Sequence, residues 1–275
     1  MKKIVYVLLV FTIMVTLLFG CSYRFNFDIT SGRSIQSGES SMDGSGINEM
    51  EVNSGVGTIK ITKSSGKDVK INYKKEVRGN SEDVQEVADK ISVDSEISGD
   101  KLVVKVNTND DNPNDFWNWL STKYKNINVS VHLDIEVPDN IEAFTVNDGV
   151  GDILISDING SFNVKSGVGK ITIKKANMSG KSDITSGTGD IDLDCDISNA
   201  KSLSAQSGVG SINIRLPKDS KISLDAAAGV GNIKGNLIEP NKESFVGDNL
   251  KQDVNGGGVK MEVTTGTGSI TINKK

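Results

Sequence analysis

Four aspartates alternate along one short stretch: Asp190, Asp192, Asp194 and Asp196. In an extended chain alternate side chains share a face, so this row aligns carboxylates, the ligand type that Ca²⁺ takes in sets of six to eight oxygens. The segments one repeat away offer Thr172 and Lys174 on one side and Asn213 and Arg215 on the other. Basic neighbours turn such a row into a solvated cross-strand charge ladder, and no metal site is expected. His132, the single histidine, lies between Val131 and Leu133. It has no second histidine and no obvious nucleophile, so Ser/His and metal–His chemistry lack parts. Both tryptophans, Trp117 and Trp119, follow the acidic turn Asp110-Asp111-Asn112-Pro113-Asn114-Asp115. They read as an aromatic platform for a sugar, a peptide or a membrane interface, or, preferably, as a loop folding its rings onto a flank. No acid/base pair stands out from the surface charge. No catalytic residue is assigned and no enzyme is expected.

Two glycine-rich chemistries fail on spacing. Gly167-Val168-Gly169-Lys170-Ile171 contains Gly-Lys, but isoleucine follows where a phosphate loop needs Ser or Thr, and no helix comes after. Calcium-binding nonapeptide repeats need Gly-Gly-x-Gly-x-Asp at a nine-residue step, and the step here is about twenty. The glycines belong to a repeat: Asp148-Gly149-Val150-Gly151-Asp152-Ile153, then the same pattern at Ser166–Ile171, Ser186–Ile191, Ser207–Ile212 and Ala228–Ile233. The first glycines stand at 149, 167, 187, 208 and 229, giving steps of 18, 20, 21 and 21. Outlying copies occur at Ser54–Ile59 and Thr265–Ile270. A period near twenty marks a solenoid, one coil per repeat.

Apolar columns lie three and five residues before the first glycine, and four and six after it; the column four after is always isoleucine. Each column is two residues from the next, which is strand periodicity. The repeat therefore reads strand, Gly-[Val/Thr]-Gly corner, strand, return loop. Stacking would set like residues ~4.8 Å apart, with a β-branched ladder inside. The expected fold is all-β, a single-stranded parallel β-helix or β-solenoid with a small helix-containing insertion near the N-terminus. That insertion falls in 67–137: a strand at Val69, Ile71 and Tyr73; a short helix from Ser81, its N-cap, to Ile91; a strand at Leu102, Val104 and Val106; and the cleanest strand, Ile127 to Val137, stopped by Pro138.

The chain has 275 residues, 29 glycines, 4 prolines, 5% aromatics and a net charge of −5. A thin solenoid core needs few large side chains. Nucleic acid is excluded as a partner, because phosphate neutralisation needs excess Lys and Arg. The chain opens with two lysines and runs apolar from Ile4 to Phe19, 16 residues, short of the ~20 that span a bilayer. This is a secretory leader, and its end, Leu18-Phe19-Gly20-Cys21, resembles the bacterial lipobox. Residues 1–20 are then a lipoprotein signal peptide. Cys21 carries the acyl lipid, the only non-protein group expected, and anchors the chain to the outer face of the cytoplasmic membrane. Residues 21–47, rich in Ser and Gly, read as a flexible tether. Residues 48–275 form the folded domain: irregular coils or a cap at 48–143, regular repeats at 144–235, and a loop with a terminal coil at 236–275. Cys195 alternates with the aspartates, so it faces inward as a small hydrophobe.

Val137-Pro138, Phe144-x-Val146, Gly149-Val150-Gly151-Asp152-Ile153 and the tandem Gly-x-Gly-x-Ile coils resemble the bacterial “putative adhesin” β-solenoid family over about residues 48–273. The resemblance implies a β-helix-like domain on envelope proteins, with no catalytic residues to carry over. It supports a lipid-anchored binding or adhesion module, with Trp117, Trp119, Asp190, Asp192 and Asp194 as the candidate ligand surface and a cell-wall glycan as ligand. The alternative is an accessory protein of envelope-stress signalling that binds another envelope protein. The outsider is an enzyme acting on wall or capsular polysaccharide.

Overall fold

A computed structural model describes residues 22–30, 32–79, 83–108, 116–124, 126–239 and 246–275. The fold is all-β, with eighteen strands and two short helices among the described residues. In chain order these are β1 (Ser22–Thr30), β2 (Arg33–Asp43), β3 (Glu49–Lys63), β4 (Asp68–Gly79), α1 (Val84–Lys90), β5 (Ile91–Ser98), β6 (Lys101–Thr108), α2 (Phe116–Lys123) and β7 (Ile127–Val137). The second half continues with β8 (Ala143–Val150), β9 (Ile153–Ser156), β10 (Asn159–Val168), β11 (Ile171–Thr188), β12 (Ile191–Val209), β13 (Ile212–Leu216), β14 (Ile222–Val230), β15 (Ile233–Lys234), β16 (Val246–Val254), β17 (Val259–Thr267) and β18 (Ile270–Lys274).

The seven Gly-x-Gly-x-Ile segments pair in parallel and in register. Ile59 pairs with Ile153, Ile153 with Ile171, Ile171 with Ile191, and Ile191 with Ile212. These isoleucines are buried, as are Val52, Val146, Val164 and Ile184 in the strand before each corner. Phe144 and Phe162, in register on β8 and β10, stack at 5.6 Å with planes 15° apart.

The stack does not follow sequence order at its C-terminal end. β17 pairs with β12 on one side and β14 on the other, and β18 lies between β13 and β15. The last repeat in the sequence is therefore the sixth in the stack, inserted between the repeats of Gly208 and Gly229. The expected terminal coil at 236–275 is corrected accordingly. β16 explains the order. It pairs antiparallel with β14 and takes that strand's outer edge, turning Leu250 and Val254 inward. The inner edge is left for β17. A covered edge also removes a template for unwanted pairing.

The other end is closed by antiparallel sheet. β7 pairs in parallel with β3 and antiparallel with β4, and β2 and β1 follow outward in turn. The tether expected at 21–47 is also corrected: residues 22–30 and 33–43 are strands, and β2 pairs with β4 over its whole length, Arg33 with Arg78 through to Asp43 with Asp68. The composition misleads because the inner face of β2 is polar and small for a packing reason. Ser34, Gln36 and Ser40 are buried. Ser34 Oγ donates to Gln85 Oε1 at 2.9 Å and Gln36 Nε2 to Asp89 Oδ1 at 2.7 Å, both on α1. Gly38 leaves room for the Tyr73 ring, which would lie 2.4 Å from a Cβ there.

The helix expected from Ser81 to Ile91 is present as α1 and buries Val84, Val87 and Ala88, but it starts after Asp83, and Ile91 already opens β5. Ser81 lies outside the described residues. Lys75, on the same inner sheet face, donates to the carbonyls of Ala88 (3.0 Å) and Ile91 (2.6 Å). These are open acceptors at the helix end. Burial pushes the Lys75 ammonium down to about 8, against the pull of Asp89 and Asp94. A second helix, α2, ends at Lys123; the hydroxyl of the next residue, Tyr124, donates to Glu86 Oε1 at 2.9 Å and so ties the end of α2 to α1.

Candidate binding face around the single histidine

Side chains on the outer face of β7 alternate as Ser130, His132, Asp134 and Glu136. The in-register partners on β3 are Thr58 beside His132 and Lys60 beside Asp134. On β4 the partners are Glu76, Lys74, Asn72 and Lys70. Beyond them β2 adds Ser37 and Glu39. These strands floor an open cleft of about 550 Å³. Thr58 Oγ1 lies 2.8 Å from His132 Nδ1, and Ser130 Oγ lies 3.1 Å from Nε2. Lys60 Nζ donates to Asp134 Oδ2 at 2.9 Å. At the margin, Glu76 accepts from Arg33 Nε at 2.7 Å and from Arg78. Burial raises the Glu76 carboxyl, but Arg78 and Arg33 reverse this and hold it below the usual range.

The sequence shows His132 without partners. They arrive through pairing, since Thr58 is 74 residues away. The imidazole is held between two hydroxyls, and Asp134 is engaged by Lys60 rather than by the histidine. The surface presents hydroxyl, amide and both signs of charge on a flat, water-open sheet. It can hydrogen-bond a polar, charged polymer; a covalent mechanism would need Asp134 or another carboxylate behind the ring.

The aspartate row sits where the repeat predicts. Asp192 pairs in register with Thr172 and Asn213, and Asp194 with Lys174 and Arg215. Lys170 bonds Asp192 at 2.5 Å, and Asn213 Nδ2 donates to it at 2.8 Å. Burial raises the Asp192 carboxyl, and Lys170 and Asn213 outweigh it, holding it low. Lys275 Nζ reaches Asp194 at 2.9 Å. Asp190 accepts the Ser211 amide and Asp196 the Ser198 amide, both at 2.8 Å. The row is a charge ladder tied across repeats. Among the described residues no group of three or more His, Cys, Asp or Glu is placed to hold a metal. Cys195 is buried, and burial pushes its thiol up to about 12, so it stays protonated and unreactive at neutral pH.

The expected ligand residues fall on two different elements. Trp117 and Trp119 fall on α2, with side chains outside the described part, while Asp190, Asp192 and Asp194 lie on β12. Cys21 and the leader also lie outside the described residues. No described helix is long and apolar enough to cross a membrane.

A family model, Toastrack DUF4097, matches residues 121–273. A structure of a “putative cell adhesion protein” from Clostridium sporogenes is similar at 18% identity and a TM-score of 0.46, covering 92% of this chain and all of that one. A “putative adhesin” from Bacteroides fragilis is similar at 15% identity and a TM-score of 0.36, covering 86% of this chain and 96% of that one. No curated protein matches the sequence. Because the family match spans more than half of the 275 residues, the chain belongs to the Toastrack DUF4097 family.

Proposed function

We propose that this protein is a lipid-anchored, envelope-exposed binding module without catalytic activity, whose stacked repeats form a β-solenoid. The outer face of its N-terminal sheet binds a hydroxyl-rich, charged cell-wall polymer. The carrying observation is the cleft bounded by Thr58, Asn72, Lys74, His132 and the Lys60–Asp134 pair. Neutral donors and acceptors beside both signs of charge match a glycan that carries hydroxyls, amides and carboxylates. The parallel registers support the solenoid reading.

The test is co-sedimentation of the whole chain, in detergent, with purified cell-wall material. Saturable binding is expected, weakened at least tenfold by Asn72→Ala/Lys74→Ala/His132→Ala. Equal binding by that variant together with loss in Trp117→Ala/Trp119→Ala would move the site to α2. No saturable binding over a wide salt range would overturn the glycan reading and favour a protein partner in the envelope.

The anchor is Cys21. Two or more acyl chains give stable attachment where one gives only marginal binding. Ser22 is already the first residue of β1 and pairs with Ser41, so a lipid on Cys21 would hold this end of the sheet at the bilayer surface with no linker between. Cys21→Ser is expected to abolish acylation and release the protein or leave an uncleaved leader. Unchanged processing and membrane retention of that variant would overturn the anchor.

A further inference from the structure

The residue before the first glycine of each repeat forms a column inside the stack. In stack order it reads Ser54, Asp148, Ser166, Ser186, Ser207, Thr265 and Ala228. The hydroxyls of the column share one task where their bonds are resolved. Ser186 donates to the Gly169 carbonyl at 3.2 Å, Ser207 to Gly189 at 2.9 Å and Thr265 to Gly210 at 2.7 Å. Each acceptor is the second glycine of the preceding repeat in the stack, so each bond pins one coil to the next.

Asp148 stands in the same slot. A Cβ built on Gly189 would lie 3.2 Å from Ser186 Oγ, and one on Gly210 would lie 3.0 Å from Ser207 Oγ. One built on Gly151 would lie 2.8 Å from Asp148 Oδ2. The equivalent acceptor, Gly57 O, closes on the same Gly151 position. A carboxylate oxygen there would face a carbonyl oxygen, acceptor against acceptor. Asp148 is 6% exposed, and neither of its oxygens meets a donor at hydrogen-bond geometry; nor do the buried Ser54 and Ser166 hydroxyls beside it find a partner.

We propose that Asp148 is carried as a neutral carboxylic acid that donates its proton to the Gly57 carbonyl, making the joint between the first repeat and the second a proton-dependent lock. A buried carboxyl kept neutral so that it can donate is a known physical solution. The neighbours favour it. Ser54 from β3 and Ser166 from β10 face Asp148, and neither titrates. The charge acting on it is Asp152 of its own turn, which also opposes ionisation. Burial pushes the Asp148 carboxyl up to about 7.

The sign follows from linkage. A carboxyl raised from its ordinary 3.8 to about 7 binds more proton in the folded than in the unfolded state between those values. Its contribution is complete below about 4 and is lost as pH rises through 7. The unfolding constant of the whole chain in detergent should therefore rise up to tenfold per pH unit between about 4 and 7, then level off. Asp148→Ser, which restores the hydroxyl of the other repeats, and Asp148→Asn, a neutral donor, should both remove this rise. As a control outside this joint, the slope should survive in His132→Gln. Amide exchange at Ile59, which donates to Asp152 O across this joint, should lose protection with rising pH in the wild type only. The carbon-13 shift of the Asp148 carboxyl reads the wild type alone and stands even where the variants fail to fold. A titration midpoint below 5, or an unchanged pH slope in Asp148→Ser, would overturn the proposal.

Discussion

Deleting residues 259–275 is expected to collapse the C-terminal half of the stack rather than shorten it by one unit. In a stack of nearest-neighbour repeats, an end repeat contributes one interface and an inner repeat two. β17 and β18 are inner strands, each flanked on both sides. Their loss removes Met261, Val263, Ile270 and Ile272, each 0% exposed. At ~1.5–3 kcal/mol per fully buried large apolar side chain, this is about 6–12 kcal/mol, the size of a whole domain's stability. It also strands β14, β15 and β16 away from the remaining repeats. The truncated chain should show rapid proteolysis within 217–258 and a melting midpoint at least ~15 °C lower, or no cooperative transition. A melt within a few degrees of the full chain would mean that the last repeat lies at the end of the stack after all.

Gly189→Ala is expected to be strongly damaging, although it adds only a methyl group. The φ of Gly189 is +149°, and an added Cβ would lie 2.0 Å from the Gly169 carbonyl oxygen. Side chains other than glycine avoid that backbone region, at a strain of about 1–3 kcal/mol. The clash is with backbone, so relief requires adjacent coils to separate and loosens the ladder around Ile171 and Ile191. Urea denaturation should show a loss of about 3 kcal/mol or more. Gly66→Ala is the control, because nothing lies within 4 Å of its Cβ position, and it should change stability by less than ~0.5 kcal/mol. Equal effects at the two positions would show that the corner glycines do not set the spacing of the repeats.

Much of this protein was legible in one dimension. The repeat spacing, the isoleucine column and the inward-facing Cys195 follow from a period of two and a recurring corner, both local properties of backbone geometry. The register neighbours of Asp192 and Asp194 follow as well, because parallel stacking of equal repeats leaves one pairing that buries every column. Three features were decided only in three dimensions. The place of the last repeat depends on which edge of β14 the strand β16 covers, a competition between two segments for one ladder. The Ser/Gly composition of β2 looked like a linker because its inner face meets the polar side chains of α1 and the Tyr73 ring, partners that lie 30 or more residues away in sequence. The cleft at His132 needs Thr58 brought alongside by pairing across 74 residues. Composition and periodicity report what one strand buries; which strand lies against it is settled by the free energy of closing the whole sheet, and that is where the cleft at His132 and the Asp148 joint arise.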